Sequence, residues 1–336
     1  MDEQDWAAVV RAAIRAPSIH NTQPWWFTAT PDRLELHLDR ERALPVLDPT
    51  GRQQVISCGV AAEFAAVALR ASGVEPTVDL LPDPADPDHL ATVHAGPARE
   101  VTAEDRALAE AIGRRHTERA PFQPRAVPDE LVDRVQADAG RLGVWLKPIN
   151  ESEEEVATVF LISRAEEIER SDPGYVAELQ RWLRTDPAAV DGVPVEAVPS
   201  EDPATRPSNW LIRDFVVGSR GGHSAFLPEG DATAPPPAVE RPTVVLLGTD
   251  NDDRTAWLLA GRALGRLLLE ATTHGLAASP LTQALDWPAT RARMRTRLSL
   301  VGHPQMLLRM GYPSTEGAPH SGRRPVAEVL RYSTAG

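Results

Sequence analysis

The order of hydrophobic and polar positions predicts a chain of mixed helices and strands. Apolar residues recur at helical spacing in four segments, at 6–16, 103–113, 128–141 and 152–170. Two further segments are apolar on most sides, which is typical of buried helices, and these lie at 53–72 and 253–274. Alternating or short apolar runs predict six strands, at 33–38, 77–81, 91–94, 143–149, 243–248 and 305–311. We therefore expect an α+β fold.

The two buried helices share the spacing of their marker residues. Three pairs are each separated by 202 positions: Arg52 and Arg254, Gly59 and Gly261, and Gly73 and Gly275. Three matches without a gap favour an internal duplication, although buried helices also share small residues and terminal glycines for ordinary reasons. A duplicated chain is expected to fold as two related lobes that pack like an intramolecular dimer.

These patterns divide the chain into two lobes and one insertion. We predict a first lobe at 1–100 and a second lobe at 101–185 and 243–336, with 186–242 inserted between its two parts. The insertion contains ten prolines but also an apolar cluster around Trp210 and Phe215, which pure linkers lack. We expect a lid that packs over a site, and an exposed loop is the alternative.

Composition and charge exclude several classes of protein. The 336 residues are 42% hydrophobic and 25% charged, which is ordinary for a globular protein. The net charge of −13 disfavours nucleic acid as a partner, because no electrostatic attraction would draw the protein to a phosphate backbone. The single cysteine, Cys58, excludes an internal disulfide and a cysteine-based zinc finger.

The sequence predicts neither a membrane segment nor a metal site. No apolar run is judged long enough to cross a bilayer, and the first residues, MDEQDW, lack the basic and apolar regions of a signal peptide. We therefore expect a cytoplasmic protein. The nine histidines show no paired spacing typical of metal ligands. The GxGxxG and GxxxxGK motifs are absent, which excludes a dinucleotide fingerprint and a P-loop.

Three segments have an unusual concentration of polar residues. Residues 17–27 place small polar side chains between two prolines and before three aromatic residues, and such a turn suits a flat heteroaromatic ligand. Residues 114–119, RRHTER, contain three arginines and a hydroxyl group, which is enough for a phosphate-sized anion site. Residues 321–329 contain Arg323 and Arg324 directly before a proline. Each segment alone has an ordinary alternative, a capping turn or a solvated charged surface.

Together these segments resemble the FMN-dependent nitroreductase family, and more narrowly its Acg-like branch, in which two half-sized repeats share one chain. The resemblance rests on PSIHNTQPW at 17–25, RRHTER at 114–119, GLAASPLTQ at 275–283 and the late basic pair. It implies a nitroreductase-like fold in which two tandem lobes form an intramolecular pseudo-dimer, with FMN bound between them.

The resemblance also implies one flavin site per chain. Family members combine both motifs, whereas here the first half has the PSIHNTQPW turn and the second half has the arginine segment. The counterpart of the turn in the second half, ADAGRLGVW at 137–145, lacks the prolines and the amides. One composite site is therefore expected, and the mirror-related site is expected to be lost.

For the phosphate end of FMN, the resemblance implies a clamp of basic and hydroxyl side chains. Arg115, Thr117 and Arg119 would hold the phosphate and the ribityl chain. Arg323 or Arg324 would complete the clamp, and charge-assisted hydrogen bonds there would offset the negative net charge.

For the ring end of FMN, the resemblance implies contacts from both lobes. Ser18 and Asn21 would contact the flavin from the first lobe, with Gln23 and Trp25 supporting their turn. Three residues of the second lobe would lie beside the reactive edge of the ring, with the backbone N–H of the last one facing N5: Pro280, Leu281 and Thr282. The chain departs from the family pattern at Ile19 and Gln283. The long side chain of Gln283, together with the insertion at 186–242, is expected to narrow the access of bulky substrates to the flavin.

The function implied by this resemblance is hydride transfer from NADH or NADPH through FMN to a nitroaromatic or quinone-like acceptor. No side chain is expected to act as a general acid, and His20 is expected to be structural. Two alternatives stay open, a flavin-sequestering protein with a closed lid and a flavin-free protein–protein module. The chain is expected to be a monomer or a homodimer, since the duplication removes the need for a dimer without forbidding one.

Overall fold

The computed structural model describes residues 1–197, 240–314 and 321–333. Its helices are α1 (Glu3–Ala13), α2 (Arg52–Ala71), α3 (Ala103–Arg114), α4 (Asp129–Arg141), α5 (Ser152–Ser171), α6 (Pro173–Arg181), α7 (Arg254–Thr273), α8 (Gln283–Asp286), α9 (Pro288–Arg297) and α10 (Val326–Val329). Its strands are β1 (Trp25–Ala29), β2 (Arg33–Leu38), β3 (Val74–Leu80), β4 (His89–Ala98), β5 (Trp145–Pro148), β6 (Leu183–Arg184), β7 (Val193–Pro194), β8 (Thr243–Thr249), β9 (Ala277–Pro280), β10 (His303–Gly311) and β11 (Leu330–Tyr332). Short 3₁₀ helices are formed by Ile19–Asn21, Arg40–Arg42 and Val195–Ala197.

Local sequence signals set several helix starts. Asp2 and Thr102 form capping boxes with Asp5 and Asp105 at the beginnings of α1 and α3. The side chain of Asp253 accepts a hydrogen bond from the backbone N–H of Ala256 at the start of α7. All six predicted helices and all six predicted strands are present, with ends shifted by a few residues.

The strands form two larger sheets, one in each lobe. The first has the order β11-β1-β2-β4-β3, and the second has the order β5-β8-β10-β9. A separate pair, β6 and β7, completes the described strands. Most strand pairs in both sheets are antiparallel. The second sheet is covered on both faces, because alternate residues of β8 and β10 pack into the central core and into a second core formed with α5, α8 and α9.

The end of the chain crosses from the second lobe to the first sheet. Strand β11 pairs in parallel with β1, with Leu330 opposite Phe27. The predicted division placed the whole of 243–336 in the second lobe, whereas β11 at the end of this range is a strand of the first sheet. Three residues at the end of a chain carry too weak a periodic signal to show which sheet they join. The crossover brings 321–325 back across the boundary between the lobes.

Helices α2 and α7 pack against each other at the centre of the molecule, and their closest approach is at two glycines. A Cβ atom on Gly59 would lie 3.0 Å from the Cα atom of Gly261 and would overlap the carbonyl oxygen of Leu258. A Cβ atom on Gly261 would overlap the carbonyl oxygen of Ile56. These contacts repeat with the same offset of 202 positions that relates the two sequences. The crossing is therefore self-complementary, as at a twofold interface.

Helix α2 has the length and composition of a membrane-crossing helix, contrary to the sequence expectation that no segment does. In this structure, 83% of its most apolar window is buried inside the protein. A helix that is apolar on all sides is also what the centre of a two-lobed core requires. The helix packs on α1, α3, α7 and the first sheet.

The predicted lid lies for the most part outside the described residues. Of the predicted segment 186–242, the structure describes 186–197 and 240–242. The apolar cluster around Trp210 and Phe215 is not among them.

The glycine crossing generates a stability prediction. Gly261→Ala should lower the free energy of unfolding by about 1–3 kcal/mol, because the helices must separate to admit the methyl group. Gly140→Ala, on α4, is the matched control, since a Cβ atom there meets no atom within 4 Å. That control should stabilise the protein by up to about 1 kcal/mol. Urea unfolding of both variants measures the difference, and equal effects would show that the crossing is not tight.

Candidate functional site

A cavity lies between the two lobes, where three separate parts of the chain meet. It contains about 1350 Å³ of space outside protein atoms, including the part that opens to solvent. The turn before β1, the segment after α3 and the end of β9 all line it. Eight of the residues selected from the sequence lie in its wall: Ser18, Asn21, Arg115, Thr117, Arg119, Pro280, Thr282 and Arg323. The two halves of the predicted composite site therefore share one cavity.

The turn at 18–23 has an unusual backbone. Three residues that are not glycine have positive φ angles, at 45° for His20, 54° for Asn21 and 51° for Gln23. Such conformations each cost about 1–3 kcal/mol and persist only where surrounding contacts hold them. The backbone N–H of Gln23 donates to the hydroxyl oxygen of Ser18 at 2.9 Å, and that of Ile19 donates to Ser57 at 3.1 Å. The turn is therefore held by one of its own side chains and by Ser57 on α2.

The side chain of Asn21 is used to hold this turn in place. Its amide donates to the carbonyl oxygens of Gly192 and Gly322 at 3.0 and 3.1 Å, and its carbonyl oxygen accepts from Arg323 at 3.1 Å. Asn21 therefore ties the first lobe to the end of the chain. It lies in the cavity wall, but its hydrogen-bonding groups face protein.

Three of the selected residues lie outside the cavity wall. Gln23 is fully buried, donates to the carbonyl oxygen of Val190 at 2.7 Å, and accepts from the backbone N–H of Arg324 at 2.8 Å. Arg324 points to Asp39, with 3.3 Å between their charged groups. Leu281 is buried in the core of the second lobe. The resemblance implied either Arg323 or Arg324 as the clamp residue, and of the two Arg323 lines the cavity.

The arginine segment is anchored beneath the cavity by the second sheet. Thr117 forms a β-bridge with Ala278, and the backbone N–H of Glu118 donates to the carbonyl oxygen of Ala278 at 3.1 Å. Arg309, on β10, is fully buried, pairs with Glu240 at 2.8 Å, and donates to the carbonyl oxygens of residues 119 and 120. These contacts fix the backbone from which the arginines project.

Positive charge converges on one end of the cavity. The side chain of Arg115 is buried, and within the described ranges its guanidinium has neither a hydrogen-bond acceptor nor a carboxylate partner. Burial, with the nearby cations Arg15 and Arg119, lowers the pKa of Arg115 to about 10. Burial likewise lowers the pKa of Arg323 to about 9, with Arg115 and Arg15 contributing. Buried like charges without counter-charges are costly, so this arrangement indicates a site built for an anion.

The remainder of the cavity wall is largely apolar. Its apolar side chains come from both long helices and from β10: Ile56, Val60, Leu264, Leu268, Met306 and Leu308. An anion site at one end and apolar walls beyond it suit a ligand with a charged tail and a flat, weakly polar body.

Gln283 does not narrow this cavity, contrary to the sequence expectation. Its side chain is fully buried, and its amide donates to Glu166 on α5 at 3.1 Å. The side chain therefore faces the core of the second lobe. Ile19, the other departure, does line the cavity.

The sequence is similar over nearly its whole length to Mycobacterium tuberculosis proteins that are named as NAD(P)H nitroreductases. Rv3131 is 35% identical over 334 residues, which cover 98% of this chain and 92% of that protein. Acg is 32% identical over 330 residues, which cover 96% of this chain and 94% of that protein. The chain belongs to the NAD(P)H nitroreductase family.

Membership in this family identifies the protein as an oxidoreductase with a nitroreductase-like α+β fold. No protein-family profile matches the chain. Among solved structures, the FMN-dependent nitroreductase NfnB from Mycobacterium smegmatis, in complex with NADPH, aligns with a TM-score of 0.39. That alignment has 18% sequence identity and covers 68% of this chain and 98% of that one.

Several wall residues of this nitroreductase cavity were not selected from the sequence. Arg15 is the most important, because its charge lies near Arg115 and Arg323. It lies just after the end of α1, inside the predicted helix at 6–16, and gives no motif signal. Ser57 and Gln53 lie on the buried helix α2, and their spacing of four residues places both on the same helix face. Polar residues inside an otherwise apolar helix could have indicated from the sequence that this face of α2 lines a site.

The unpartnered guanidinium of Arg115 is expected to lower the stability of the ligand-free protein and to strengthen its binding of anions. In dialysed protein without added anions, Arg115→Gln should raise the free energy of unfolding by about 1–3 kcal/mol, because a buried charge is removed. Added inorganic phosphate should raise the unfolding temperature of the wild type and have less effect on this variant.

The matched control is Arg134→Gln, which removes the same charge from an exposed arginine outside the cavity wall; Arg134 pairs with the buried carboxylate of Glu270. It should keep the full phosphate response. Equal phosphate responses in Arg115→Gln and the wild type would contradict an anion site at Arg115.

Proposed function

We propose that this protein is an FMN-dependent oxidoreductase of nitroreductase type, with one composite flavin site per chain in the cavity between the lobes. NADH or NADPH is the electron donor, and a nitroaromatic or quinone-like compound is the acceptor. The observation that supports this most strongly is the buried guanidinium of Arg115. It faces a cavity with apolar walls and has no acceptor in the described part of the chain.

The charged tail of FMN matches the basic end of the cavity. A phosphate monoester carries nearly two negative charges and three acceptor oxygens at neutral pH. Arg115, Arg323 and Arg15 provide the converging donors, with the hydroxyl of Thr117 beside them. A dianion there would receive the hydrogen bonds that Arg115 lacks, and it would relieve the repulsion among the arginines.

The ring system of FMN matches the apolar part of the cavity. Aliphatic side chains of α2 and α7 provide a wall against which a flat aromatic ring can pack. Pro280 and Thr282 line the same cavity, and the family pattern places the reactive edge of the ring beside them. The backbone N–H of Thr282 is our candidate donor to N5.

The role of the PSIHNTQPW turn is to shape this wall. The side-chain amides of Asn21 and Gln23 donate hydrogen bonds to backbone carbonyl oxygens of the protein, so these two residues position the turn. Ser18 accepts from Gln23 and keeps its own hydroxyl hydrogen available to the cavity. Among the residues assigned to the flavin by resemblance, Ser18 therefore fits direct contact better than Asn21.

When bound, FMN supplies the hydride chemistry, because a nicotinamide can reduce it and an acceptor can reoxidise it. The chain contributes binding, orientation and exclusion of water. Arginines hold the tail, the two long helices support the ring, and backbone groups face its edge. We assign no side chain the role of general acid.

The test is reduction of the purified protein under argon. We expect a yellow protein whose visible absorbance bleaches with NADH or NADPH and returns when a nitroaromatic compound or a quinone is added. Heat should release FMN, which mass spectrometry identifies. Arg115→Gln should retain FMN at least about tenfold more weakly, from the loss of a charge-assisted contact worth about 1.5–3 kcal/mol.

Each other outcome identifies a different function. Bound FMN that neither nicotinamide bleaches would indicate a flavin-sequestering protein. A colourless preparation that does not take up added FMN would contradict the flavin site and favour a flavin-free interaction module. Arg134→Gln serves again as the charge-matched control and should stay yellow.

A further inference from the structure

The outer face of the first sheet has a polar cavity of its own. It is formed by β2, β3 and β4 and the proline-rich turn at 82–88, and no residue lines both this cavity and the one between the lobes. Glu35 and His37 are two positions apart on β2, so their side chains share this face. His89 lies directly opposite His37 on β4.

Ligand atoms of Glu35, His37 and His89 all lie within 4.8 Å of one another. The Nε2 atom of His37 is 3.7 Å from a carboxylate oxygen of Glu35. That separation is too long for a hydrogen bond. It is close to the roughly 3.4 Å expected between two ligands of one tetrahedral ion with bonds of about 2.1 Å.

His37 is the central ligand of this group, and its Nε2 atom lacks a partner. The residue is 7% exposed, and this nitrogen is buried with no hydrogen bond from the described chain. Burial, followed by the neighbouring His89, lowers the pKa of His37 below its ordinary value, despite the nearby carboxylates of Glu35 and Asp86. The unpartnered Nε2 atom is therefore the nitrogen that can donate its lone pair to a metal ion.

Each of the three side chains also has a neighbour that orients it. Arg33 donates to Oε1 of Glu35 at 2.9 Å, which leaves Oε2 toward His37. Asp86 lies 3.8 Å from Nδ1 of His37, on the opposite side of the ring from Glu35. Thr92 lies 2.9 Å from Nε2 of His89. Metal-binding histidines and carboxylates usually have such outer partners, which fix the orientation of the ligands.

Stacking also holds the central ring in position. The imidazole of His37 stacks on Trp26 with 4.0 Å between ring centres and 9° between planes. On its other face lies His89, at 4.7 Å and 27°. Arg331 covers the far face of Trp26 at 4.3 Å. The lone pair of an imidazole lies in the plane of its ring, so His89 must rotate out of this stack before both rings can share an ion. Its ring is half-buried, which leaves room for that rotation.

We propose that Glu35, His37 and His89 form a binding site for a divalent transition-metal ion of the Zn²⁺ class. Two imidazoles and one carboxylate favour Zn²⁺, Ni²⁺, Co²⁺ or Cu²⁺ over Mg²⁺ and Ca²⁺, which select oxygen ligands. Acidic residues around the cavity, Asp79, Asp83 and Asp86, add attraction for a cation. Three protein ligands leave a fourth position for water. The sequence analysis predicted no metal site, because these ligands come together only by pairing β2 with β4.

The test is a Zn²⁺ titration of the full chain after chelator treatment, by calorimetry and by competition with a chromophoric chelator. We expect one Zn²⁺ per chain at this site and no heat from Mg²⁺ at the same concentration. His37→Gln and His89→Gln should each weaken Zn²⁺ binding by at least about tenfold. His274→Gln is the control and should bind Zn²⁺ like the wild type. Within the described residues, the ring of His274 bonds to Thr273 and to the backbone of Glu270 at the end of α7.

Circular dichroism and metal-free unfolding temperatures check that the variants fold. If His37→Gln does not fold, the half-buried His89→Gln carries the test. Wild-type protein that binds no Zn²⁺ would overturn the proposal. So would wild-type affinity in a folded His89→Gln, because binding would then lie elsewhere on the acidic surface.

Discussion

The close crossing of α2 and α7 is the constraint on which the rest of the structure depends. Gly59 and Gly261 let two helix backbones meet, and the neighbouring carbonyl contacts of Ile56 and Leu258 repeat across the crossing. The helices contribute facing parts of one cavity wall, so their separation sets the width of the cavity. A duplicated chain can keep such a crossing without a second subunit, because both halves of the interface are covalently linked.

Buried charges in the cavity and in the core differ in whether they have a partner of opposite charge. At the base of the arginine segment, Arg309 and Glu240 are fully buried and paired with each other. Arg115 is buried only a few residues along the chain from the backbone that this pair supports, yet it has no partner in the described structure. The protein thus satisfies a buried charge where the role is structural and leaves one unsatisfied in the cavity. That contrast is the physical basis for assigning the site to an anionic ligand.

Much of the fold and part of the site could be predicted from the sequence. Long periodic segments such as α2 and α7 gave clear signals, and the offset between Gly59 and Gly261 indicated the lobe pairing before any contact was known. Short elements were missed, because β9, with four residues, and β11, with three, are defined by their partners more than by their own pattern. Arg15 and the His37–His89 pair were missed for the same reason, since only tertiary contacts bring them to their sites.

A motif shared with a family identifies the residues of a site, but the geometry is needed to decide which of them can contact the ligand. The resemblance assigned Asn21 and Gln23 to the flavin site. In the structure the side-chain amides of both residues hydrogen-bond to the protein and hold a turn with three positive φ angles. The stoichiometry of FMN binding tests the central claim most directly. Titration of flavin-free protein, followed by quenching of FMN fluorescence, should end at one FMN per chain. An end point of two, or of one per pair of chains, would contradict a single composite site between the lobes.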